Sequence, residues 1–208
     1  MNKSRFFTFV FSTVFFILLL LIETNGINPL NKKVPLGHLT YNLNHIGNPN
    51  ADNASAYKLI KQVMDSAVYF SNLITQATGQ INVNYVNEKG VRADGGPGGI
   101  RFGPERTYMN VGTALHEIAH IFGVGNFNKW PSFMTFDAPT GKIIFKGEKA
   151  TKMLRQITGD KNAHIYMDNQ HFWPYGLNYV SEYKIESDLI NNCKIVKAMI
   201  EDGLPLHF

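Results

Sequence analysis

Polar and apolar residues alternate through "GHLTYNLN", residues 37–44, so that Leu39, Tyr41 and Leu43 share one face. This is the period of a strand with one buried side. A polar stretch, "HIGNPNADNAS", follows and reads as a loop. The next segment, 57–76, changes period. Leu59, Ile60, Val63, Met64, Ala67, Phe70 and Ile74 fall on one stripe of a helix, and Gly79 is the expected stop. Alternation returns in "INVNYV", with Ile81, Val83 and Tyr85 together. The glycine-rich "RADGGPGGIRFGP" lacks the Lys-Ser/Thr of a phosphate loop and reads as a loop leading into a short strand, with an edge strand expected over 98–103. Further on, Ala150, Met153, Leu154 and Ile157 mark a helix ended by Gly159, and Leu189, Cys193, Val196 and Ile200 mark a last helix over about 185–201. The pattern predicts an α+β domain: a small mixed sheet, a long packing helix, a second buried helix, and a mostly helical C-terminal part.

The first residues stand apart. A basic start, "MNKSR", precedes an uncharged apolar run over 6–22 and a polar exit, "ETNG". Residues 1–26 read as a signal peptide, with an uncleaved anchor as the alternative, and 27–208 as the folded domain. Either way the domain is expected outside the cytoplasm. It is long enough to bury a core unaided. That matters because Cys193 is the only cysteine, so no intrachain disulfide can form. The net charge of +4 comes from scattered Lys and Arg without a basic run, so no nucleic-acid partner is expected. A membrane partner is expected only if the leader stays uncleaved, and the oligomeric state is left open.

The chemistry is concentrated in "TALHEIAHIFGVGN", residues 113–126. His116 and His120 are four apart, so a helix presents both imidazoles on one face, a spacing suited to zinc. Glu117 follows the first histidine, where a carboxylate can take a proton from the water that such an ion acidifies. Leu115, Ile118, Ala119, Ile121 and Phe122 make the rest of the segment apolar, and Thr113 is the expected cap. Two histidines and a glutamate on so apolar a helix would be costly to bury without an ion to satisfy them.

"HEIAHIFG" resembles the active-site motif of the zincin metallopeptidases, and Gly123, three residues after His120, is similar to the metzincin branch. The order strand, long helix, strand, motif helix over 38–126 is similar too. The resemblance implies a zincin-like fold and a third zinc ligand just after the motif. Asn126 stands there, and an amide oxygen is a weak zinc ligand. A methionine beneath the metal is also implied, for which Met134 and Met167 are the candidates. "GVGN…KW" together with "HFWPYGLNY" looks like a group of small secreted zincin-like proteins. It makes His171, set among Phe172, Trp173, Pro174, Tyr175 and Tyr179, the leading third ligand, with Asn126, His164 and Glu182 as alternatives. Tyr175 and Tyr179 are candidate donors to a developing oxyanion, as a phenol is in several zincins.

The expectation is therefore a secreted zinc metallopeptidase acting on a protein or peptide substrate. His116, His120 and His171 bind Zn2+ and Glu117 is the base. The alternatives are a zinc hydrolase of a non-peptide bond and a non-catalytic metal-binding module.

Overall fold

The computed structural model describes residues 37–205. The leader over 1–26 and its cleavage or anchoring lie outside the described residues. Among the described residues no helix is long and apolar enough to cross a membrane.

Strand β1 (His38–Asn44) buries Leu39 and half-buries Tyr41 and Leu43, as its alternation predicts. Helix α1 (Ala51–Ile74) starts earlier than its apolar stripe suggests, inside the segment expected to be a loop. The reason is a cap. The Asn50 side chain accepts from the Asn53 backbone N–H at 2.8 Å, and the Asn53 side chain accepts from that of Asn50 at 3.3 Å. Two asparagines thus replace the usual Ser/Thr and Glu, and the polar first turn faces solvent. The far end of α1 stops at an extended Thr75. Gly79 lies inside strand β2 (Thr78–Tyr85) instead of ending the helix.

Strands β1 and β2 are parallel, and α1 is the crossover that a parallel pair requires. The glycine-rich segment is a hairpin of β3 (Ala93–Gly96) and β4 (Gly99–Phe102). The sheet order is β1-β2-β4-β3, with β4 parallel to β2 and antiparallel to β3. The edge strand is therefore β3, and the 98–103 segment expected there is interior. Glycines carry no side-chain period, so the pattern could not tell the two strands apart.

Helix α2 (Val111–Ile121) carries the histidine motif and lies against α1 and β3. Gly95 sets how closely β3 approaches it, since a Cβ at that position would stand 2.5 Å from the Glu117 carbonyl oxygen.

The C-terminal part holds a second sheet that the sequence reading did not foresee. Strands β5 (Met134–Asp137), β6 (Lys142–Phe145), β7 (Tyr166–Met167) and β8 (Phe172–Trp173) pair antiparallel in that order. Each has two to four residues, too few for alternation to register. Helix α3 (Glu148–Thr158) ends at Gly159 with φ 71°, as expected. Helix α4 (Glu186–Glu201) buries Leu189, Cys193 and Val196 and packs against α1, α2 and α3. Among the described residues the result is one α+β domain with four α-helices and two small sheets.

Replacing Gly95 by alanine forces β3 away from α2. The expected loss is about 1–3 kcal/mol, the range for an added methyl in a packed contact. Urea unfolding of Gly95→Ala should show it as a lower midpoint with an unchanged slope.

Candidate metal centre

The cap of α2 is Asn110, not Thr113. Its side-chain oxygen accepts from the Thr113 N–H at 2.9 Å. One helical turn then places the rings of His116 and His120 face to edge, with centroids 4.6 Å apart. Each ring is fixed from behind. Nδ1 of His116 lies 2.8 Å from the Gly176 carbonyl, and Nδ1 of His120 lies 2.7 Å from that of Val124. A carbonyl can only accept, so both Nδ1 atoms carry the proton in the neutral rings. Both Nε2 atoms are then bare acceptors, and they face each other at 3.1 Å.

Two lone pairs at that distance repel, and a cation between them would relieve the repulsion. A shared proton is disfavoured. Burial and the neighbouring His120 hold His116 down at about 4, and burial lowers His120 as well. The neutral imidazoles are the form that binds a metal ion, and carbonyl partners behind ligating histidines are the usual way to hold that tautomer.

His171 completes the group. Its ring centroid lies 5.5 Å from that of His116 and 5.8 Å from that of His120. The ligand atoms of all three residues lie within 4.8 Å of one another, so the cluster can hold a metal ion. The residue arrives on a tight loop. The Asp168 carboxylate accepts from the backbone N–H groups of Gln170 and His171, at 2.7 and 2.6 Å, and stands 3.5 Å from His171 Nδ1. The buried Trp130 indole N–H donates to the Asp168 carbonyl at 3.1 Å and ties the loop to the core. Gly125, at φ 69°, lets this loop reach the turn after α2. A Cβ there would meet the Gln170 backbone at 2.5 Å. Gly125, two residues past the motif's Gly123, thus admits a distant histidine.

Glu117 is 4% exposed, and its Oε2 is buried without a hydrogen-bond partner. Burial, helped by the Asp94 carboxylate, pushes its pKa up to about 8. A dication nearby favours the ionised form. The orphaned oxygen and the facing imidazoles are two separate signs that the site suits a metal.

The cluster opens into a cavity of about 230 Å³. Asp94 and Gly95 of β3 form one wall, Gln170 and His171 the other, and Asn126 closes one end. The Asn126 side-chain amide donates to the Gly95 carbonyl at 3.0 Å. It therefore ties the turn after α2 to the edge strand. Asp94 itself is held by a forked pair with Arg101, at 2.9 and 2.6 Å.

The other sequence candidates lie elsewhere. His164 lines a different cavity, and Glu182 accepts from the Asn178 N–H. Met134 opens β5 and Met167 lies in β7, both in the second sheet. The structure does not bring Tyr175 or Tyr179 into the cavity lining. Tyr175 packs on the core, and its carbonyl accepts from the buried Asn192 amide at 2.8 Å. Tyr179 is 63% exposed. Asp94, Asp168 and Gln170 were not foreseen. Only Asp168 had a sequence signal, an acid three residues before the candidate ligand.

No protein-family model matches the chain, and no curated protein or solved structure matches it at a significant level.

His171→Ala should weaken zinc binding by about 100-fold or more, and Asp168→Ala by about 10-fold, the scale of losing a partner behind a ligand. Asn126→Ala should leave it within about twofold, because that amide faces Gly95. Competition against a chromogenic chelator measures all three.

Proposed function

We propose that the protein is a zinc-dependent metallopeptidase that acts outside the cytoplasm. His116, His120 and His171 hold the ion and Glu117 is the general base. The observation that carries this reading is the pair of bare Nε2 atoms at 3.1 Å with a buried, unpartnered carboxylate on the same helix. A purely structural ion would need no such carboxylate. Zinc held by His116, His120 and His171 would supply Lewis acidity, polarising a carbonyl and acidifying water towards a pKa of about 7.

The chain's own groups do the rest. Glu117 takes the proton of the attacking water and passes it to the leaving amine nitrogen. The edge strand aligns the substrate. The Arg92 carbonyl accepts from Gly103 N–H at 2.8 Å, so by antiparallel alternation Ala93 and Gly95 turn their polar groups away from β4. Asn126 takes the Gly95 carbonyl. The Ala93 N–H and C=O and the Gly95 N–H are left for an extended peptide. The apolar run over 6–22 supports export.

Glu117→Gln should keep zinc affinity within about threefold and lower kcat/KM on a fluorogenic peptide library by about 10²–10⁴, the usual share of a general base. Zinc binding by the wild type with no peptide cleavage would instead favour hydrolysis of another bond or a binding role. If the leader is removed on export, mass spectrometry of the secreted chain should find a new N-terminus near Gly26.

A further inference from the structure

A second cavity, of about 470 Å³, lies between the β5–β6 hairpin and α3. Its volume is in the range of small-ligand sites. Lys146, Lys152, Arg155 and His164 surround it, and Glu148 is the only acid on its lining. Lys152 and Arg155 are one turn apart on α3, so both reach the same side. Arg155 is held in place by its Nε, which donates to the Ala163 carbonyl at 3.2 Å. Its two terminal nitrogens make no hydrogen bond among the described residues.

What sets these cations apart is their gathering on one concave surface. Lys61, Arg101, Arg106 and Lys197 are each paired with a carboxylate. Lys146, Lys152 and Arg155 have no such partner among the described residues. Glu148, one turn before Lys152 on α3, offsets one of these charges, while Asp202 is committed to the first turn of α3, where it accepts from the N–H groups of Lys149 and Ala150 at 3.0 and 2.9 Å. Like charges gathered around a concave, low-dielectric surface focus a positive field, and an anion relieves their repulsion. The Thr135 hydroxyl on the lining adds a donor, and Ile144 and Phe145 give the cavity an apolar floor.

We propose that this cavity binds a phosphate- or sulfate-type oxyanion, carried on a small molecule or free. An arginine fork with two lysines suits a tetrahedral dianion better than a single carboxylate. The site is separate from the metal centre, since the two cavities share no lining residue.

Calorimetric titration of the exported chain with inorganic phosphate, phenyl phosphate and benzoate tests this. Both phosphates should bind at least about tenfold more tightly than benzoate. Tighter binding of phenyl phosphate than of phosphate would assign the site to an organic ester, and equal binding to the free anion. Lys146→Glu and Lys152→Glu, both at exposed positions, should each weaken phosphate by about tenfold or more. Lys58→Glu, an exposed position on α1, makes the same change in net charge and should weaken it less than about twofold. Unchanged thermal midpoints confirm that the variants fold. Metal-free and zinc-loaded protein should bind phosphate within about twofold of each other. The proposal is overturned if phosphate does not bind, if it binds only with zinc present, or if Lys58→Glu weakens it as much as the cavity variants do.

Discussion

The repulsion between two unprotonated imidazole nitrogens organises the centre of this protein. His116 and His120 are aimed at each other by a helical turn, and the carbonyls of Gly176 and Val124 prevent either ring from turning its proton inward. Burial denies the pair a stabilising charge of its own. A metal ion held between them would relieve that repulsion. Trp130 and Asp168 deliver His171, and β3 closes the opposite wall of the cavity.

The resemblance to metzincins predicts a ligand just after the glycine turn, and this chain meets the geometry differently. Asn126 spans to the edge strand through its amide, so the position keeps its place at the cavity with a different task. The third imidazole comes from a loop far along the chain, and Gly125 makes room for it. A ligand position and the turn that usually serves it have been separated.

Much of this was legible in the sequence. The i, i+4 histidines, the acid between them, the apolar faces of α1 and α4, and the alternation of β1 and β2 all follow from local periodicity. His171 was reachable through its aromatic neighbours. What escaped had no local signature. The edge position of β3 depends on pairing among glycine-rich strands, and the second sheet is built from segments shorter than one full period. The early start of α1 depends on two asparagines that read equally well as a loop. Asp94 and Gln170 reach the cavity through tertiary contacts that no spacing reveals. Lys152 and Arg155 stand one turn apart on a legible helix, but the concave surface they share with Lys146 and the β5–β6 hairpin is tertiary and left no mark in the sequence.

The hydrogen bond from His116 to the Gly176 carbonyl joins positions sixty residues apart. The sole cysteine is buried and unpaired, so no covalent bridge fastens the C-terminal loops to the helical motif. An ion gripped by His116, His120 and His171 would act as that fastener, closing a long loop and turning binding energy into folding energy. In the proposed peptidase, catalysis and cohesion would share a single atom, and a scavenger of divalent ions would loosen the architecture as well as silence the chemistry.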